Sequence, residues 1–145
     1  MQEQLISFET AKLAKEKGLI ISTRCGYFGD FGDLDGDTYP FLGTYSFYRD
    51  LKCYNNEEHQ IATPSQSLLQ KWLREKYNLI IIVYLNKEKR ESNFIYNYTF
   101  HVHYENDILG LASYTDGTLY KTYEEALEIG LQEALKLIPN ETKTN

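Results

Sequence analysis

The chain has 145 residues and a formal net charge of −6. That length buries a core without help from a metal or disulfide, and the negative field repels phosphate backbones and anionic headgroups, so general nucleic-acid binding and membrane-surface binding are both disfavoured. The longest apolar run, Leu79 to Leu85, falls far short of the roughly 20 residues a bilayer span needs. The opening MQEQLISFETAKLAKEK has no basic leader and no apolar core, which predicts a cytoplasmic protein. Cys25 and Cys53 lack CxxC spacing and read as free thiols in that compartment.

Along the chain, the first predicted helix follows Ser7 as N-cap and runs to Lys17, with Gly18 as the left-handed stop. Phe8, Ala11 and Ala14 take its buried side, and Glu9, Lys12 and Glu16 its wet side. Strands over Leu19–Tyr27 and Thr44–Tyr54 follow as the arms of a long hairpin. Between them lies GYFGDFGDLDGDTYP, Gly26 to Pro40. Thr63-Pro64-Ser65-Gln66 reads as a capping box with proline in the first turn. It opens a second helix with Ser65, Leu68, Leu69, Trp72, Leu73 and Lys76 on one stripe, and Asn78 as a left-handed cap.

Leu79–Leu85 is apolar at every position, which predicts a central strand covered on both faces. Lys87–Asn93, KEKRESN, reads as a charged hairpin loop. From Phe94 to Tyr104 the residues alternate, with Tyr96, Tyr98, Phe100, Val102 and Tyr104 on one face and Asn97, Thr99, His101 and His103 on the other. Asn106-Asp107 and Asp116-Gly117 are turn signals, the second of the type I′ hairpin class. Thr122-Tyr123-Glu124-Glu125 is a capping box for a third helix, on which Tyr123, Ala126, Leu127, Gly130, Leu131, Ala134, Leu135 and Ile138 form an unbroken stripe. Gly130 within that stripe predicts a close approach to another element, and Pro139 ends the helix. The fold class is α+β, with a mostly antiparallel sheet of four to six strands against three helices in the order αββαββ(ββ)α. Residues 1–139 form one domain, and 140–145 a frayed tail.

Three stretches, ISFETAKLAKEKG (Ile6 to Gly18), ATPSQSLLQKWLREKYN (Ala62 to Asn78) and YEEALEIGLQEALKLI (Tyr123 to Ile138), resemble blocks of a family of small proteins. That family is found in gut Bacteroidetes genomes, their phages and mobile elements. The resemblance covers roughly a third of the chain and brings no activity, ligand or catalytic residue with it. It implies context: a bacterial or phage cytoplasm and an accessory role.

Asp33, Asp35 and Asp37 occupy relative positions 1, 3 and 5 of a calcium-loop pattern, but Thr38 and Thr44 stand where that loop needs glycine and a bidentate glutamate. The stretch reads instead as an acidic hairpin tip, with weak calcium binding or docking as its functional alternatives. His101, His103 and Glu105 share a strand face, the donor types of a zinc or iron site, but neighbours on one face stand nearly 7 Å apart. They read first as polar residues of a half-exposed strand. No nucleophile elbow, phosphate-binding loop or cofactor motif is present, so no cofactor is predicted. Thirteen tyrosines and seven phenylalanines exceed what a core of this size needs. Tyr39, Phe41, Tyr45 and Tyr48 crowd one segment, together with Phe47 and Tyr54, and tyrosine is enriched at interfaces. The leading expectation is a non-catalytic binding or adaptor domain for a protein partner. A nucleotide-type small-ligand binder is the alternative, and a metal enzyme on His101 and His103 ranks third.

Overall fold

The computed structural model describes residues 4–23, 25–28, 39–42, 53–54, 60–90, 93–106 and 110–139. The chain divides into two compact units, one of Met1–Ser65 with Pro139–Asn145 and the other of Gln66–Ile138. It is α+β, and the described residues form three helices and antiparallel strand pairs. Among the described residues the strands form three sheets, where the sequence predicts one. No described helix is long and apolar enough to cross a membrane.

In the first unit, α1 (Phe8–Glu16) starts where the Ser7 hydroxyl accepts the Thr10 N–H. It ends at Gly18, whose φ of +81° suits a residue without a Cβ. There the Leu19 N–H reaches back to the Ala14 carbonyl at 2.9 Å and the Gly18 N–H to that of Lys15 at 3.0 Å, so two terminal carbonyls are satisfied together. Thr10, Ala11 and Ala14 are buried, and Phe8 meets Tyr27 edge-on with centroids 4.9 Å apart. β1 (Ser22–Thr23) pairs with β4 (Cys53–Tyr54), and β2 (Cys25–Phe28) lies between β3 (Tyr39–Leu42) and β5 (Gln60–Ala62). The expected two-armed hairpin is thus split between two sheets, with β2 paired to β3 at the end of the acidic stretch.

The second unit holds α2 (Gln66–Tyr77), β6 (Ile80–Arg90), β7 (Asn93–Asn106), β8 (Gly110–Tyr114) and α3 (Tyr123–Leu137). The capping box expected at Thr63 is replaced by a later start at Gln66. The Gln66 amide is drawn to α3, donating to the Glu124 carbonyl at 3.1 Å and to the Glu128 carboxylate at 2.8 Å. The Thr63 N–H already donates to the Thr23 hydroxyl, and the Thr63 hydroxyl has no partner among the described residues. The buried line of α2 is Gln66, Leu69 and Leu73, rotated from the expected stripe so that Leu68 and Lys76 face out. Burying Gln66 is tolerable because its amide is hydrogen-bonded. Asn78, with φ of +54°, turns the chain into β6 as its residue type predicts.

Among the described residues the sheet order β6-β7-β8 leaves β6 at an edge, not at the covered centre its apolar run suggests. Ile81 lies inward under α3 and is buried, whereas Ile80, Ile82 and Tyr84 on the other face are exposed. Lys87–Arg90 continues the strand, paired Lys87↔Tyr96, Glu88↔Ile95, Lys89↔Phe94 and Arg90↔Asn93, where a loop is expected. α3 carries both halves of its predicted capping box at Thr122 and Glu125. At Gly130 it comes so close to the sheet that a Cβ would stand 3.0 Å from Ile81 Cγ2 and 3.1 Å from Phe100 Cγ. Asp116-Gly117 is not a type I′ turn, since only Gly117 has positive φ. The Asp116 carboxylate accepts the Thr118 N–H and the Tyr120 hydroxyl instead, and Tyr120 then exchanges both backbone hydrogen bonds with Tyr98.

Candidate functional site

β7 changes role along its length. Phe100 and Val102 are fully buried, with Phe100 against Gly130 of α3. Two residues earlier, Tyr98 is half-buried and meets Tyr123, the first residue of α3, edge-on at 6.3 Å. Two earlier again, Tyr96 and Phe94 lie on the same face, and each is 51% exposed. The face that is core under α3 continues as surface past the helix start. Across the strand pair, Leu85, Lys87 and Lys89 stand opposite Tyr98, Tyr96 and Phe94, and Leu85 is 57% exposed.

Lys87 lies diagonally over Phe94, its ammonium 3.9 Å from the ring centroid and 5.8 Å from that of Tyr96. Such a contact contributes about 0.5–1 kcal/mol at an exposed site. The sequence over 87–91 holds Lys87, Lys89 and Arg90 against Glu88 and Glu91, a locally basic balance in a chain of net charge −6. Half-exposed rings, an aliphatic side chain and ammonium groups on a rigid strand pair suit contact with an apolar and anionic partner.

His101 and His103 lie on the opposite sheet face, stacked with centroids 6.1 Å apart and planes 20° apart, with Tyr84 edge-on to His101. Imidazole lone pairs lie in the ring plane, so these near-parallel rings direct them in near-parallel planes and not at one point between the rings. Glu105 accepts from the Asn78 amide at 3.4 Å. No group of three or more His, Cys, Asp or Glu among the described residues is arranged to hold a metal ion. The His103 Nε2 is buried and has no hydrogen-bond partner among the described residues.

Asp33, Asp35, Asp37, Tyr45 and Tyr48 lie outside the described residues, and Tyr39 and Phe41 are placed only as backbone of β3. The Phe94–Tyr96–Lys87 surface is missing from the sequence reading because KEKRESN reads as loop. Pairing Lys87 with Tyr96 and Lys89 with Phe94 sets Lys-x-Lys against Phe-x-Tyr, and that pattern carries the signal. Titration is shifted elsewhere, at Tyr114, Asp116 and Tyr120. Tyr114 is raised chiefly by the neighbouring Glu133 charge, and Tyr120 is pushed up to about 12 by burial and then by Asp116. Both shifts keep a phenol protonated, which suits structural hydrogen bonding and not nucleophilic attack. No protein-family model matches the chain, and no curated protein or solved structure is significantly similar to it.

Proposed function

We propose that the chain is a non-catalytic binding or adaptor domain, acting on a protein partner in a bacterial or phage cytoplasm, and that the ribbon formed by β6 and β7 is its contact surface. The observation that carries this reading is the pair of half-exposed rings, Phe94 and Tyr96, held on one strand face with Lys87 over them. Rings of this kind act as interface anchors when a partner completes their burial, and truncating one then costs about 2 kcal/mol or more of affinity. The same two rings also support a nucleotide-type ligand as second reading, since a base stacks on an exposed aromatic face.

Affinity capture from a bacterial lysate with the wild type, with Phe94→Ala/Tyr96→Ala and with Tyr114→Ala separates these. A protein retained by the wild type and by Tyr114→Ala, and lost from the double variant, supports the ribbon as the contact. A nucleotide as the only retained species supports the second reading. A protein held equally by all three overturns the ribbon.

A further inference from the structure

The outer edge of β6 offers something the rings alone do not. Gln70 Nε2 donates to the Ile81 carbonyl at 2.9 Å, so that carbonyl points away from β7. Tyr98 exchanges both its backbone hydrogen bonds with Tyr120, so its register partner Leu85 also directs its N–H and C=O outward. In an antiparallel ladder such residues alternate. Ile81, Val83, Leu85, Lys87 and Lys89 therefore form the outward set. Gln70 occupies the first, and among the described residues no strand pairs with the rest. Ile82 at 39% exposure, Tyr84 at 42% and Leu85 at 57% keep apolar side chains available on both faces beside this edge.

Resting on the binding reading above, we propose that this edge, Val83 to Lys89, takes up an extended acidic–apolar peptide of a partner protein as an added strand. Its acidic side chains lie opposite Lys87 and Lys89, and its apolar ones opposite Val83 and Leu85. Edge addition supplies affinity through the main chain and specificity through alternate side chains. A second copy of β6 fits worse. An antiparallel self-pairing centred on Lys87 or Glu88 sets lysines opposite lysines, and one centred on Asn86 or Leu85 sets each ammonium against an aliphatic side chain. Lysines on an edge strand guard against self-association, and the same two charges select an acidic strand.

The probes are two capped, labelled peptides, ETETVIV and KTKTVIV, titrated into the full chain. ETETVIV is expected to bind about tenfold tighter than KTKTVIV, and Lys87→Glu/Lys89→Glu is expected to reverse the order. Amide hydrogen exchange gives the signature. The amides of Val83, Leu85, Lys87 and Lys89 gain protection with ETETVIV, while those of Tyr84, Asn86 and Glu88, already bonded to β7, do not change. Leu85→Pro removes one outward donor at an edge position that tolerates proline and should abolish binding. Equal binding of both peptides, or no alternating protection, overturns the proposal. So does concentration-dependent dimerisation that protects the same amides without peptide. If a captured partner broadens the Phe94 and Tyr96 ring resonances and leaves the edge amides exchanging, strand addition fails while the ribbon contact stands. If the partner touches neither, both fail.

Discussion

Gly130 sits where two requirements oppose each other: an alanine there would favour the helix by about 1 kcal/mol, yet any Cβ meets Ile81 and the fully buried Phe100 at 3.0–3.2 Å. Gly130→Leu is therefore expected to destabilise by about 1–3 kcal/mol or more through overpacking. Lys136→Leu, on the exposed side of the same helix, should stay within about 0.5 kcal/mol; urea midpoints compare the two, and equal shifts would mean the seam yields. Glu128 would be a poor control, because its carboxylate accepts from the buried Gln66 amide, a contact its place on the outer side of the helical stripe does not announce. Tyr120 and Asp116 set a pH dependence. Burial raises Asp116, but the hydrogen bonds from Tyr120 and Thr118 outweigh it and leave the carboxyl below its ordinary 3.8. That contribution to stability is present above the ordinary value and is lost as pH falls through the lowered one. Tyr120 runs the other way: its contribution is present below 10.0 and is lost as pH rises through about 12. Tyr120→Phe should cost about 0.5–1 kcal/mol at neutral pH, screened as the site is. It should also remove the tyrosine's part of the decline near about pH 11, read from denaturant midpoints across the range. An unchanged alkaline limb would show that the hydroxyl contributes nothing.

Two threonines that look alike in sequence behave differently in their elements. Thr122 and Thr63 each precede a Glu or Gln by three residues, but only Thr122 forms the box, its hydroxyl taking the Glu125 N–H at 3.1 Å while that glutamate returns to the Thr122 N–H. Thr122→Ala should cost about 1 kcal/mol. Thr63→Val should be neutral or stabilising, since it removes a buried hydroxyl without a partner among the described residues. Thermal midpoints decide this, and a loss at Thr63 equal to that at Thr122 would restore the sequence reading. The contrast shows what was legible. Caps and stops governed by their own neighbours, such as Ser7, Gly18, Asn78, Thr122 and Pro139, follow from local chemistry and appear where the residues predict. Gln66 does not, because its side chain is claimed by Glu124 and Glu128, 58 and 62 positions away. β6 misleads for a related reason. An all-apolar run predicts cover on both faces, but whether a strand is central depends on which strands pair with it, and pairing is non-local. The ribbon surface stayed hidden because Lys87 and Lys89 look like loop until their partners Tyr96 and Phe94 are known.

At the scale of the whole molecule, the chain divides after Ser65 into two compact units. The unit from Gln66 to Ile138 contains its own core, with Leu69, Leu73, Ile81, Phe100, Val102, Leu131 and Leu135 all buried. These come from both of its helices and two of its strands, and its helix-to-helix tie through Gln66 is internal as well. Small domains of 55–65 residues already fold alone when such a core closes, and this unit is slightly longer. A fragment spanning Gln66 to Ile138 is therefore expected to fold cooperatively, with dispersed amide resonances and a single denaturant transition. Its midpoint should be the same with and without chelator, because buried apolar residues supply its core. Gly130→Leu should destabilise the fragment by the same amount as the full chain, since Ile81 and Phe100 belong to the same unit. The peptide ETETVIV should likewise bind the fragment as it binds the full chain, the whole of β6 being retained. A fragment with collapsed resonance dispersion and no cooperative transition would show that the two units fold only as one. The core around Phe100 would then depend on residues before Ser65 for its stability.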